Sequence, residues 1–151
     1  FTRFHVGTDT AHEQGGVDFI SGFFILRGNE RQLPMRRIVE YMGLYDGHLA
    51  ALAPLAANEF NRCKSNLQML EAGAKGIPLL ASDVAPYRSG SDAHCVMLAT
   101  TAEEWKANMR VCLAYPRLAA EMGAALAAHV RERYHLDRVN EVRRQIVESF
   151  A

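Results

Sequence analysis

The chain has 151 residues, of which 49% are hydrophobic and 23% charged, enough for one ordinary globular core and read here as a single domain over 1–151. Its 17 basic and 17 acidic side chains cancel, so no net field favours nucleic acid as a partner. No apolar run approaches the roughly 20 residues of a membrane span, and the apolar piece Phe19 to Leu26 is too short and is broken by Ser21 and Gly22.

In chain order, Phe4-His5-Val6 reads as a short strand that ends in the turn-forming residues Gly7-Thr8-Asp9-Thr10. A polar segment follows, then a strand over Val17 to Leu26 closed by Gly28-Asn29. Arg31 to Arg37 is a basic connection. Ile38 to Met42 is expected to be a strand closed by Gly43, Tyr45 to Ala50 a short helix, and Ala51 to Leu55 the next strand.

The stretch Asn58 to Asp83 has the densest information. A polar loop carrying Arg62 and Lys64 leads to a helix with Ser65 as its expected N-cap. Leu67, Leu70 and Ala74 recur at helical spacing, and Gly76 with Pro78 ends the helix. Ile77 to Ala81 is a continuous apolar run, as expected of a parallel strand covered on both faces.

Cys95 to Ala99 is the last expected strand, after which the chain turns helical. Thr101 and Glu104 have capping-box spacing, and Trp105, Met109 and Leu113 form one apolar face. Pro116 opens a second helix, with Leu118, Met122, Leu126 and Val130 on its apolar face. Leu136 to Phe150 is a third helix with Val139, Val142, Ile146 and Phe150 inward. The run Arg131-Glu132-Arg133 reads as a solvated helix face. Strands alternating with helices imply an α/β fold: a Rossmann-like parallel sheet sandwiched by helices, with a helical C-terminal region. Ligands of such sheets bind at the carboxyl ends of the strands.

That placement makes the residues around the Asn58 to Asp83 helix candidates for a site. Cations beside a helix N-terminus suit a phosphate, because first-turn N–H groups and the helix dipole both favour an anion. Lys64, Arg62, Ser65 and Asn66 supply that arrangement, although Ser65 and Asn66 compete for the same N–H groups if they cap the helix. Glu71 lies farther along the same helix, where its two oxygens suit the hydroxyls of a ribose. Gly7 and Thr8 would let backbone approach a diphosphate. Six histidines are scattered without metal-ligand spacing; of these, His5 and His12 sit near the expected cleft edge. The odd set Cys63, Cys95 and Cys112 reads as reduced cytosolic thiols, and neither a metal nor a cofactor is expected.

The run Leu70-Glu71-Ala72-Gly73-Ala74-Lys75-Gly76-Ile77-Pro78-Leu79-Leu80-Ala81-Ser82 resembles the donor-binding half of GT-B glycosyltransferases of the retaining, family-four type (glycosyl transferases group 1). The resemblance extends over Ile38 to Tyr134 and is specific in its centre. It implies the C-terminal half of a GT-B fold. The activity implied is transfer of a glycosyl group from a nucleotide-sugar donor, with retention and without a metal. On that resemblance Lys64 and Arg62 stabilise the leaving diphosphate, and Glu71, Ser65, Asn66, Gly7, Thr8 and Gly43 bind the nucleotide and its phosphates. Glu59, Phe60 and Asn61 then face the donor sugar, and Met42 with Gly43 line the nucleobase pocket. The family motif has a second glutamate eight positions before the one matched by Glu71, and here that position is Cys63.

The chain begins at Phe1 and reads as a portion of a longer polypeptide whose acceptor-binding N-terminal domain lies upstream. The resemblance further implies an acceptor glycan or lipid-linked glycan, a role in polysaccharide or lipopolysaccharide biosynthesis, and a cytoplasmic location at or near the inner membrane. Two other readings stay open at this point. One is a nucleotide-sugar epimerase of the same fold. The other, favoured by the Cys63 departure, is a non-catalytic module that binds a nucleotide or a protein partner.

Overall fold

The computed structural model describes residues 4–6, 38–91 and 95–150. Four short strands, β1 (Phe4–Val6), β2 (Ala50–Ala53), β3 (Leu79–Ser82) and β4 (Val96–Ala99), lie side by side in chain order. Every pairing is parallel, with Phe4 opposite Ala50, Ala51 opposite Leu79, and Leu79 opposite Val96. Successive side chains of a strand point to opposite faces. Ala51, Ala53, Leu79, Ala81 and Val96 therefore enter one core, with Met69, Ala72 and Leu126. Ala50, Leu52, Leu80 and Ala99 enter a second, with Trp105 and Cys112. Burial on both faces explains why β2 and β3 are apolar runs and not alternating ones. The result is a parallel α/β sheet with helices on both faces.

The helices are α1 (Ile38–Gly43), α2 (Glu59–Arg62), α3 (Leu67–Ala74), α4 (Ala85–Ser91), α5 (Ala102–Ala114), α6 (Pro116–Tyr134) and α7 (Leu136–Glu148). The pairing of α3 with α6 is set by missing side chains. A Cβ on Gly73 would lie 2.5 Å from Val130 Cγ2 and 3.2 Å from the Leu126 carbonyl oxygen. A Cβ on Gly123 would lie 2.2 Å from the Gly76 carbonyl oxygen. Close approach of backbones therefore selects the inward face of α3, which is Met69, Glu71, Ala72 and Gly73. Of the three residues at helical spacing, Leu67 and Ala74 are exposed and Leu70 is half-buried. At the end of α3, Gly76 takes φ +67°, and the N–H groups of Gly76 and Ile77 donate to the Gly73 and Ala72 carbonyls at 3.0 and 3.1 Å. Both bonds of a Schellman stop are present, so glycine serves here for its left-handed conformation.

Several expected elements differ in the structure. Ile38 to Met42 is not a strand but the body of α1, and the expected helix over Tyr45 to Ala50 is a turn. Leu44, Tyr45 and Asp46 close i→i−3 bonds, and Gly47 at φ +75° breaks the helical path before β2. Helices α2 and α4, unforeseen in the sequence, flank the loops after β2 and β3. Asn66, not Ser65, stands at the N-cap of α3, and its side chain makes no capping bond. The Thr101–Glu104 capping box and Pro116 in the first turn of α6 are as expected. The apolar face of α7 is not inward: Val142, Ile146 and Phe150 are exposed, and no residue of the helix is buried. The residues Val17 to Leu26, expected as a strand, lie outside the described residues. Among the described residues no helix is long and apolar enough to cross a membrane.

Candidate functional site

A strand's carboxyl end in this sheet opens onto the loop that precedes the next helix. The loop after β2 and helix α4, which follows β3, border a pocket of about 140 Å³. The segment entering α3 supplies Lys64, Ser65, Gln68 and Glu71; Tyr41 of α1, Leu55 after β2 and Tyr87 of α4 close the remaining sides. Three residues singled out in the sequence, Lys64, Ser65 and Glu71, thus meet in one cavity.

Glu71 is 9% exposed, and its carboxylate is held by two phenols. Tyr45 donates to Oε2 at 2.7 Å and Tyr41 donates to the same oxygen at 3.0 Å. Hydrogen bonds to an ionised acceptor are the strong kind, which offsets the cost of keeping the carboxylate out of water. Burial drives the Tyr45 phenol far above the ordinary tyrosine range, and the bonds to Tyr41 and Glu71 push the same way. Tyr45 therefore remains a donor. Among the described residues no hydrogen bond falls on Glu71 Oε1, which leaves that oxygen as the one able to take a ligand.

Lys64 Nζ lies 5.1 Å from the centroid of the Phe60 ring, a cation–π contact on the way to the pocket. Next to it is the uncapped start of α3. Asn66 turns its amide away, with Nδ2 donating to Tyr134 Oη at 2.7 Å. Its carbonyl accepts from Met69 and Leu70 N–H, and its side chain makes no cap bond to the first-turn N–H groups. Gln68, one residue inside the helix, accepts from Tyr87 Oη at 2.6 Å through Oε1. The chemistry gathered here is a cation and a helix start for an anion, with a fixed carboxylate about a turn away for a hydroxyl group.

The remaining predicted residues are placed elsewhere. Arg62 and Glu59 are exposed on α2, and Phe60 is 70% exposed, meeting the pocket only through Lys64. Asn61 has a structural duty: it is buried, its Nδ2 donates to the Ala56 carbonyl at 2.8 Å, and its N–H donates to Asn58 Oδ1 at 2.8 Å. Gly43 was expected after a strand and beside a nucleobase. It ends α1 instead and approaches Asp46, which pairs with Lys75 at the far end of α3. Cys63 is exposed at the C-cap of α2. Gly7, Thr8 and His12 lie outside the described residues, and only the backbone of His5 is described.

Leu55 also borders a second, more apolar pocket of about 180 Å³ formed by Ser82, Asp83, Thr100 and Trp105 at the ends of β3 and β4. Ser82 Oγ is engaged there, accepting from Leu55 N–H at 2.8 Å. Among the described residues no three His, Cys, Asp or Glu side chains gather in a way that would hold a metal ion. No protein-family profile, known protein or solved structure matches the chain significantly.

Sequence reasoning overlooked Tyr41, Tyr45, Gln68 and Tyr87. Tyr41 and Tyr45 stand four residues apart, and the i→i−3 turn that follows α1 brings both hydroxyls to Glu71. Reading Ile38 to Met42 as a strand concealed this arrangement, because strand geometry sends those two side chains along a different path.

Proposed function

We propose that this pocket binds the ribose and diphosphate of a nucleotide sugar, and that the chain is the donor-binding domain of a retaining glycosyltransferase with the C-terminal half of a GT-B fold. The observation that carries the reading is the convergence of Lys64, the uncapped start of α3 and the nine-tenths-buried Glu71 on one cavity. Such a cavity suits a phosphate at one end and hydroxyls at the other. At about 140 Å³ it is smaller than the roughly 300–1,000 Å³ of a complete small-molecule site, so it takes the ribose–phosphate portion and leaves base and sugar to neighbouring surface.

In this reading Lys64 and the α3 N–H groups neutralise the charge that develops on the leaving diphosphate, the step at which preorganised donors contribute most. Glu71 anchors the ribose and so sets the distance between diphosphate and sheet. Arg62, exposed on α2, contributes only by approaching from the rim. Polysaccharide or lipopolysaccharide assembly, an acceptor glycan or lipid-linked glycan, and an upstream acceptor-binding domain belong to the same proposal. So does a cytoplasmic site of action.

Thermal unfolding with uridine, guanosine and adenosine diphosphates, and with the matching nucleosides, tests the phosphate part. One diphosphate should raise the melting temperature well above its nucleoside. Lys64→Ala should remove most of that advantage, equivalent to about a tenfold loss of affinity for one charge-assisted contact. A nucleoside that stabilises as well as its diphosphate, or a Lys64→Ala protein that responds unchanged, rejects the assignment. Release of diphosphate from the matching nucleotide sugar only when a glycan acceptor is present separates a transferase from a binding module.

A further inference from the structure

We infer that Tyr45 and Tyr41 are positioning residues for Glu71, reserving one carboxylate oxygen for the protein and leaving the other to a single ligand hydroxyl. The inference rests on the nucleotide-binding reading above. Both phenols donate to Oε2, at 2.7 and 3.0 Å, although a carboxylate offers two oxygens. The two rings pack edge to face, with centroids 5.9 Å apart and planes at 86°, and the hydroxyl oxygens are 3.4 Å from each other. Each ring therefore fixes the direction from which the other hydroxyl approaches.

The two tyrosines differ in what they can do. Tyr45 is 1% exposed, so its bond to Glu71 is made inside the core, out of water. Tyr41 is half-buried and borders the pocket, where it can turn from Glu71 to an arriving ligand. A glutamate on a helix surface samples several rotamers and can meet a vicinal diol with both oxygens. With Oε2 held from behind by two donors, this carboxylate presents Oε1 alone. One ribose hydroxyl then takes the short charge-assisted bond, and its neighbour is left to water or to Tyr41.

The consequence is an asymmetry between the two ribose hydroxyls. The probes are the uridine, guanosine and adenosine diphosphates with their 2′-deoxy and 3′-deoxy forms, titrated calorimetrically. For the diphosphate that binds, one deoxy form should lose about tenfold in affinity and the other about threefold or less. In Tyr45→Phe the carboxylate regains its freedom, and the two deoxy forms should bind within about twofold of each other. A purely structural Tyr45 would lower the melting temperature and leave the asymmetry untouched, which overturns the inference. If Tyr45→Phe does not fold, Tyr41→Phe serves in its place, with the same narrowing expected and an unchanged asymmetry again decisive against it. Equal losses for both deoxy forms in the unmodified protein overturn the inference while sparing the nucleotide reading. Binding of no diphosphate at all overturns both.

Discussion

Glu71 lies in the second turn of a helix whose neighbours on that face are Met69, Ala72 and Gly73, so its carboxylate is surrounded by core. What makes the position tenable is the pair of phenols, and those lie 26 and 30 residues away in sequence. Buried titratable groups of this kind leave a trace in stability. The Cys112 thiol, with burial as its cause, is pushed up to about 11, the Cys95 thiol is also raised by burial, and the Tyr45 phenol is raised much further. In the unfolded chain thiols ionise near pH 9 and phenols near pH 10, so in that range the folded state binds more protons than the unfolded one. Stability is therefore fully present below about pH 9 and falls above it, for Cys112 by up to about 1.4 kcal/mol per pH unit between pH 9 and about 11, and for Tyr45 only from about pH 10 upward. Urea unfolding at pH 8.5 and 10.5 should show this decline, and Cys112→Ala should make it shallower. An unfolding free energy that stays level across the interval would mean that the buried thiols and phenol are less protected than the packing implies.

The same carboxylate shows what a sequence does and does not disclose. Lys64, Ser65 and Glu71 stand within one local pattern, loop then helix then strand, so their common cavity was legible. Helical periodicity, however, records only which residues share a face. Leu67, Leu70 and Ala74 recur at that spacing, whereas contact with α6 through Gly73 and Gly123 turns the helix to bury Met69, Glu71 and Ala72. The tyrosine clamp was invisible for a related reason: it joins α1 and the turn after it to α3 across long separation, and α1 itself was read as a strand.

Among the elements, the α3–turn–β3 unit is the piece on which the pocket stands. The Schellman stop at Gly76 determines where β3 begins, and Gly123 of α6 sits directly on that turn. The two glycines of this packing differ in what opposes them. A Cβ at position 123 meets the Gly76 carbonyl oxygen at 2.2 Å and the Ile77 Cα at 2.9 Å, both backbone. At position 73 the nearest atoms belong to the Val130 side chain. A side chain can rotate, but backbone must move as a unit. Gly123→Ala should therefore cost about 3 kcal/mol, toward the upper end of overpacking. Gly73→Ala should cost about 1–2 kcal/mol, part of it recovered through better helix propensity. Denaturant midpoints of the two variants, compared at matched slope, check the order. A Gly73→Ala protein less stable than Gly123→Ala would place the rigid contact at the wrong end of α6.

At the scale of the whole molecule, a parallel sheet covered on both faces explains why β2, and β3 up to its last residue Ser82, are apolar. The C-terminal helix departs from that economy. Leu136, Val142, Ile146, Val147 and Phe150 are all exposed, so α7 has a strongly sided pattern with nothing described against its apolar side. Its amphipathic sequence correctly indicated a helix and misled on burial, because periodicity shows that one face is apolar without showing what covers it. The sheet, by contrast, converges on a single chemical proposition: its carboxyl edge presents cation, helix start and carboxylate to one ligand.

Calorimetric titration of uridine, guanosine and adenosine diphosphates into the protein and into its Glu71→Ala variant tests that proposition most directly. The account predicts that one diphosphate binds the unmodified protein and that Glu71→Ala, still folded, binds it at least about tenfold more weakly. Equal affinity in both proteins, or no binding to the unmodified one, would contradict it.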